Sequence, residues 1–229
     1  MQTSERTLSI VEAILARKSV RVFRPDPVPP SVLRAVLDLA RHAPSWSNTQ
    51  PWEVAVMTGQ PLASVKEAFA QKFKADVTPN PDIPWPRFPD RYHQRSRENG
   101  LSIFSVLGIR REDVDKKRSH NLGMQRFFEA PVGMVLYLES ELGPWSILDA
   151  GIFIQTIMLA AVGHGLSTCP MAMVGRYPDV LRELLGIPAT KRILCGLAMG
   201  YAEEDAPVNQ FRSDRLPLDE FVLWCGDEA

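Results

Sequence analysis

Residues 43–52 are Ala-Pro-Ser-Trp-Ser-Asn-Thr-Gln-Pro-Trp, and this stretch separates a predicted helix from a predicted strand. The helix is predicted from Pro30 to about His42, because proline is tolerated in a first helical turn and Pro44 ends the pattern. The strand is predicted over 52–57, a short apolar run. Hydroxyl and amide side chains between the two elements are typical of a capped turn, or of a loop that offers donors and acceptors to a ligand.

Outward from this stretch, helices and strands alternate along the chain. Helices are predicted over 7–18, 61–75 and 146–163, with further helical patterns up to about 128 and a short helix from Pro178 closed by Gly186; strands are predicted over 131–138, 166–174 and 192–199. Strands separated by helices favour an α+β or α/β sandwich. No break in composition divides the chain, so we expect one domain over residues 1–229.

The helix predicted over 146–163 is apolar nearly all round, which is typical of a buried helix. In a domain of this size, a helix without a polar face suggests burial against a second subunit. The longest apolar run, 150–163, is shorter than the roughly 20 residues that a bilayer span needs. We therefore expect no membrane partner.

The composition disfavours several classes of protein. Hydrophobic residues make up 45% and charged residues 23% of the chain, as in ordinary soluble globular proteins. A net charge of -1 argues against nucleic-acid binding, which needs concentrated Lys and Arg. Cys169, Cys195 and Cys225 have neither disulfide nor zinc spacing, and the first residues lack an apolar leader, so the expected location is the cytoplasm. The scattered histidines lack ligand spacing, and no metal site is expected.

A proline-rich segment occupies about residues 76–91 and contains five prolines. Such a density of proline forbids regular secondary structure, and long irregular segments inside a domain are usually functional or disordered. Trp85 and Phe88 lie in this segment and favour an ordered lid. With Trp46, these two aromatic side chains are candidates to stack on an aromatic substrate, although plain packing is as common a role.

Two cationic segments lie at opposite ends of the chain. Arg17-Lys18-Ser19-Val20-Arg21 comes where the first helix is predicted to end, and Arg212 and Arg215 belong to the segment 209–218. In the first segment, two guanidinium groups and a hydroxyl lie within five residues and suit a phosphate and a polyol, because a guanidinium can donate two hydrogen bonds to a phosphate. For this segment the alternative is a cationic helix C-terminus favoured by the helix dipole.

Together these segments resemble a known family. There is no G-x-G-x-x-G motif for NAD or FAD, but R-[RK]-S-x-R followed by A-P-S-x-x-N-x-Q-P-W resembles the N-terminal signature of FMN-dependent nitroreductases. The resemblance extends through 145–161, 165–171 and 200–201 to the C-terminal arginines, and so covers about residues 8 to 224. The proline-rich segment resembles the nitrobenzoate reductase subgroup. The resemblance implies a nitroreductase-like three-layer sandwich: a central, mostly antiparallel sheet with a mixed edge, flanked by helices, in an intertwined homodimer.

The resemblance also implies which residues bind FMN. Arg17 and Arg215, with Arg212, would hold the phosphate, and Lys18 would also bind the cofactor. Ser19 would contact the ribityl-phosphate region, and Arg21 would lie at the pyrimidine end of the flavin. Pro44, Ser45 and Trp46 would come from the opposite subunit, with Asn48 and Gln50 shaping the same loop. Pro170 and Met171 would run past the flavin ring. Cys169, beside them, is expected to be a buried, inert thiol.

The implied activity is ping-pong reduction: NAD(P)H gives a hydride to flavin N5 and leaves, and a nitroaromatic or quinone takes its place. No protein nucleophile is expected, because the cofactor carries the chemistry. Where some members of the family have Glu-Gly after the proline that corresponds to Pro170, this chain has Ala172-Met173. The same scaffold also carries out reductive dehalogenation and activated-alkene reduction, and a flavin-binding protein without turnover is a further alternative.

Overall fold

The computed structural model describes residues 8–226 and places a four-stranded sheet at their centre. The strands are β1 (Glu53–Thr58), β2 (Val132–Glu139), β3 (Ser167–Met171) and β4 (Lys191–Gly200). Their order is β1-β2-β4-β3, and each neighbouring pair is antiparallel. A single parallel bridge joins Ser19 to Thr168 of β3, so the predicted mixed edge consists of this one contact.

Helices cover both faces of the sheet. They are α1 (Ile10–Ala16), α2 (Pro30–Ala40), α3 (Gly59–Lys74), α4 (Asp90–Val106), α5 (Val114–Gln125), α6 (Pro144–Gly163), α7 (Pro178–Leu185) and α8 (Pro207–Gln210). Local signals in the sequence account for several ends. Ser9 and Glu12 form a reciprocal capping box at the start of α1. Pro30 and Pro178 begin α2 and α7, and Gly186, with a φ of 67°, ends α7.

Two buried clusters give the protein its three layers. One cluster combines Val135 of β2 with side chains of α3 and α7, including Phe69 and Leu181. The other combines Met134 and Leu136 of β2 with side chains of α2 and α6. Because successive residues of a strand point to opposite faces, the two clusters lie on opposite sides of the sheet. The predicted three-layer α+β sandwich is therefore confirmed.

Two predicted boundaries were wrong. The strand predicted over 166–174 ends at Met171, and residues 172–176 form a 3₁₀ turn. This turn folds back over β4, where Val174 occupies the space that a Cβ on Gly196 would need. The first helix was predicted over 7–18, but within the described residues it runs only over Ile10–Ala16, because Arg17 already has an extended ψ of 124°.

Helix α6 is longer than the apolar run over residues 150–163 that it contains. It has 20 residues and is long and apolar enough, by length and composition, to cross a membrane. Its side chains Ala150, Phe153 and Ile157 are nevertheless buried within this chain, and it packs on α2. These contacts bury 33% of its 18 most apolar residues within this chain, so the burial predicted for this helix is not reached by them alone.

Candidate functional site

A cavity of about 380 Å³ lies where α1 ends and the C-terminal segment passes. Its polar lining comprises Arg17, Lys18, Ser19, Arg21, Arg212, Ser213 and Arg215, and Ile14, Leu15 and Phe211 supply the apolar part. Five of the lining side chains are cationic and none is a carboxylate. The structure thus brings together the two cationic segments that are about 190 residues apart in the sequence, as the resemblance implied.

Asn209 fastens these two segments to each other. Its side chain is fully buried, and its Oδ1 accepts hydrogen bonds from the backbone N–H groups of Arg21 (2.9 Å) and Val22 (3.1 Å). Its Nδ2 donates to the backbone oxygens of Val22 (2.7 Å) and Glu203 (2.8 Å). The amide therefore uses all four of its hydrogen bonds to hold the backbone in place, and none is left for a ligand.

The sheet fixes the same segment from its other side. The N–H of Val20 donates to the carbonyl of Thr168 at 3.0 Å, which places Ser19 and Arg21 beside β3. Arg21 Nη1 donates back to the Ser19 carbonyl at 3.1 Å. The Arg17–Arg21 segment is therefore held between the sheet edge and Asn209, and its side chains are presented to the cavity with little freedom.

The two C-terminal arginines have different partners. Arg212 donates from Nη1 to the carbonyl of Leu15 at 2.7 Å and from Nη2 to that of Ala16 at 3.4 Å. It therefore caps the end of α1 from a distant part of the chain. Arg215 bonds only to the carbonyls of Ser213 and Asp214 within the described residues, and so keeps its remaining donors for a ligand.

The charges in the cavity affect one another. Burial lowers the pKa of Arg17, and the neighbouring Arg215 and Arg212 lower it further. Burial also raises the pKa of the Cys169 thiol, a shift that Arg21, Ser19 and Arg17 oppose. A like-charge cluster with no carboxylate in its lining favours an anionic ligand. Cys169 is buried, as predicted, and its inertness stays a prediction.

His120 of α5 adds a group that the sequence analysis did not select. Burial lowers the pKa of its imidazole and Arg21 lowers it further, so this histidine favours its neutral form. Its ring lies between Phe104 and Phe128, with centroid distances of 5.7 and 6.0 Å.

The loop over residues 43–52 has an unusual backbone conformation and lies apart from the cationic cavity. Ser47, Asn48 and Gln50 all have positive φ values (47°, 57° and 46°), a conformation that is uncommon for residues with a side chain and often marks a functional loop. The N–H of Gln50 donates to Ser45 Oγ at 2.9 Å, which closes the loop. No residue of the loop lines the cationic cavity of the same chain.

The loop is also attached to the core at two points. Trp52 stacks on Phe153 of α6 with a centroid distance of 4.5 Å and an interplanar angle of 1°. The N–H of Trp46 donates to both carboxylate oxygens of the buried Asp149 at 3.2 Å. The Trp46 indole is itself 59% exposed and contacts Trp145, with centroids 5.2 Å apart.

Asp149 and Asn209 are therefore positioning residues that sequence reasoning missed. For Asp149 a signal exists, since it is a carboxylate in a helix that is otherwise apolar nearly all round, and a buried carboxylate requires a partner. Asn209 has no comparable signal, because its partners are backbone groups far away in the sequence.

We predict that Asp149→Ala destabilises the protein by about 1–3 kcal/mol, since it leaves the Trp46 N–H of the loop without its acceptor. Urea unfolding of the FMN-free protein measures this difference. Asp149→Asn is the matched control, because it keeps one carbonyl oxygen as an acceptor and should lose less. Equal stability of all three proteins would show that this hydrogen bond does not hold the loop.

The remaining predicted site residues are placed as follows. Pro170 is exposed on β3, next to the cavity segment, whereas the Met171 side chain is buried in the core, so only its backbone is available to a ligand.

Trp85 and Phe88 are exposed and lie in an irregular segment that precedes α4. Asp82 anchors this segment by accepting from Arg182 Nη2 (2.6 Å) and from the N–H of Ile193 (2.8 Å). Within residues 8–226 no group of His, Cys, Asp or Glu has the arrangement of a metal site.

Comparison with known proteins gives consistent matches. The model of the nitroreductase family matches residues 14–201. A 4-nitrobenzoate reductase of Pseudomonas putida is 34% identical over 218 residues, which cover 93% of this chain and 94% of that protein. The FMN- and NADPH-dependent nitroreductase NfnB of a Sphingopyxis strain superposes with a TM-score of 0.93 at 34% identity, covering 96% of this chain and all of the other. NfnB of Mycobacterium smegmatis in complex with NADPH has a TM-score of 0.90 at 35% identity, with 93% and 96% of the two chains covered.

Proposed function

The chain belongs to the nitroreductase family, and we propose that it is an FMN-dependent NAD(P)H oxidoreductase that reduces nitroaromatic compounds, with quinones as further acceptors. The observation that carries this proposal is the cavity with five cationic side chains and no carboxylate. Such a cavity suits the phosphate of FMN. The bound FMN would supply the redox chemistry by taking a hydride from NAD(P)H and passing it to the acceptor.

Different residues of the cavity would bind different parts of FMN. Arg17 and Arg215 hold the phosphate, with Lys18 beside them and Ser19 toward the ribityl chain. Arg212 contributes mainly through its charge, because its guanidinium already donates to the end of α1. Arg21, fixed by Asn209, points its charge at the pyrimidine end of the ring, where a fixed cation favours the negative charge that arrives with the hydride.

We further propose that the site is completed by a second copy of the chain. Apolar side chains are exposed on α1, on α6 and in the C-terminal segment, with exposed fractions of 67% for Leu15, 61% for Trp145 and 86% for Leu223. Exposed apolar groups in this number mark an interface. In the homodimer, Pro44, Ser45 and Trp46 of one subunit would lie against the FMN of the other, with Asn48 and Gln50 forming the polar edge of that loop.

The substrate side of the site follows from the same arrangement. Trp46 of the loop, with Trp85 and Phe88 of the proline-rich lid over about residues 76–91, would stack on a flat acceptor. Backbone groups of Pro170 and Met171 would face the ring. The similarity to a 4-nitrobenzoate reductase makes 4-nitrobenzoate the acceptor to test first.

We propose that residues 1–229 act as one FMN-binding domain in the cytoplasm, where the three free cysteines stay reduced.

Steady-state kinetics with FMN-loaded protein test the proposed activity. Initial rates are measured against NADPH at several fixed concentrations of 4-nitrobenzoate. Because one nucleotide must leave before the acceptor enters, we expect parallel lines in the double-reciprocal plot. Turnover with quinones alone would remove the nitroaromatic assignment, and no oxidation of NADPH or NADH with either acceptor would overturn the proposal.

Mixing two variants tests whether the loop acts on the other subunit. We expect Arg17→Glu to abolish FMN binding and the double variant Ser45→Ala, Trp46→Ala to lose most activity. If the loop serves the partner's FMN, co-refolded mixtures should recover about a quarter of the unchanged activity, since half of the dimers are mixed and each has one intact site. If both segments serve one site of the same chain, mixing recovers nothing.

A further inference from the structure

A second cavity, of about 850 Å³, adjoins the cationic cavity. The two share Phe211, Ser213 and Arg215 in their linings, so the C-terminal segment forms a common wall between them. The opposite wall of the second cavity is α4, from which Arg95, Glu98, Asn99 and Ser102 line the space. Ser213 Oγ donates to Asn99 Oδ1 at 2.6 Å, and this bond ties the common wall to α4.

The first turns of α4 carry two arginines on one aromatic ring. The guanidinium carbons of Arg91 and Arg95 lie 4.7 and 4.8 Å from the centroid of the Tyr92 ring. Arg91 Nη2 also donates to the Tyr92 hydroxyl at 2.8 Å, and Arg95 Nε donates to the Arg91 carbonyl at 3.3 Å. These bonds fix the orientation of both cations, which we call the arginine pair.

The charge of the arginine pair is not neutralised. Like charges one helical turn apart normally destabilise a helix, and neither arginine forms an ion pair anywhere in the described part of the chain. The nearest acids on the same helix are Asp90 and Glu98, and Glu98 accepts from Gln94 Nε2 at 2.9 Å. Asp214 lines the second cavity on the side of the common wall. Two fixed guanidinium groups without a carboxylate partner suit a phosphomonoester, which carries nearly two negative charges.

We infer that the arginine pair binds the 2′-phosphate of NADPH, so that the protein prefers NADPH to NADH. This inference rests on the proposed function. The nicotinamide of either nucleotide must reach the flavin, and the rest of the molecule then needs space that adjoins the flavin cavity. The 850 Å³ cavity provides that space, and Arg95 of the arginine pair lines its α4 side. Arg91 lies one helical turn away, on the other side of the shared Tyr92 contact. NADH lacks the 2′-phosphate and gains nothing from these two cations.

The test compares the two nucleotides in the double variant Arg91→Ala, Arg95→Ala at constant ionic strength. We expect kcat/KM for NADPH to fall about 10- to 100-fold, as for the loss of charge-assisted hydrogen bonds, and kcat/KM for NADH to stay within about twofold. Arg97→Ala is the matched control, because Arg97 is an exposed arginine on the same helix that lines neither cavity. An equal loss with both nucleotides, or no loss with either, would overturn the inference.

A binding measurement on the unchanged, FMN-loaded protein makes the test independent of turnover and of the variant's folding. Adenosine 2′,5′-bisphosphate should bind at least about tenfold more tightly than adenosine 5′-monophosphate. Equal binding of the two compounds, or equal use of NADH and NADPH, would overturn the arginine assignment while leaving the oxidoreductase proposal intact. Oxidation of neither nucleotide would instead contradict the proposed function.

Discussion

Replacing Arg17 by alanine is expected to weaken FMN binding about 10- to 100-fold while leaving the FMN-free protein at least as stable as before. The affinity falls because a guanidinium that donates to a phosphate contributes about 1.5–3 kcal/mol. The FMN-free protein does not lose stability, because Arg17 is the partly buried member of a like-charge cluster: burial and then Arg215 and Arg212 lower its pKa. Removing the charge removes both the cost of burying it and its repulsion from Arg215 and Arg212.

Fluorescence titration with FMN measures the affinity, and thermal unfolding with and without FMN measures the stability. Arg41→Ala is the matched control, because Arg41 likewise follows the last residue of a helix but lies in an exposed pair with Asp38. It should leave FMN binding unchanged. An unchanged affinity for Arg17→Ala, or the same loss for both variants, would contradict the assignment of the cavity to the phosphate.

Replacing Asn209 by alanine is expected to lower the free energy of unfolding by about 2–4 kcal/mol. The change leaves the part-buried N–H groups of Arg21 and Val22 without their acceptor. It also removes one donor from each of the carbonyls of Val22 and Glu203, which still accept from the backbone N–H groups of Glu203 and Ala206. Each unsatisfied buried group costs about 1–3 kcal/mol, and water entering the space left by the side chain relieves part of this. FMN binding should weaken as well, because Arg21 loses its fixed position.

Thermal unfolding measures the effect of Asn209→Ala, and the midpoint should fall by on the order of 10 °C. Asn80→Ala serves as the comparison, since Asn80 is exposed and bonds to Arg176 through its backbone only. A loss below about 1 kcal/mol for Asn209→Ala would mean that the two cationic segments are held together by something other than this amide.

Local signals predicted much of the fold. Pro30, Pro178 and Gly186 were placed at the helix ends that they occupy, because their backbone preferences act over one or two residues. The end of β3 was missed because it depends on Val174 packing over Gly196. Val174 lies in the 3₁₀ turn that follows β3, and Gly196 lies in β4. No pattern within a short window contains that contact.

The charged residues of the site could be predicted from the sequence, but most of the residues that hold them in position could not. Arg17, Arg21 and Arg215 could be selected because cationic side chains near a hydroxyl suit a phosphate, and the family resemblance joined the two segments. Asn209 and the Arg212 cap on α1 could not be assigned, since their partners are backbone carbonyls and N–H groups that only the folded chain brings near. Residues that would contact a ligand are therefore easier to predict from the sequence than residues that hold those side chains in position.

We expect the cationic cavity to bind an FMN that passes electrons from a nicotinamide nucleotide to a nitroaromatic compound. Anaerobic spectrophotometry of the FMN-loaded protein tests it most directly, with one equivalent of NADPH added first and 4-nitrobenzoate second. We predict that the flavin absorbance bleaches with NADPH and returns with 4-nitrobenzoate in the absence of oxygen. A protein that takes up no FMN, a flavin that neither NADPH nor NADH bleaches, or a bleached flavin that 4-nitrobenzoate leaves unchanged would contradict the account.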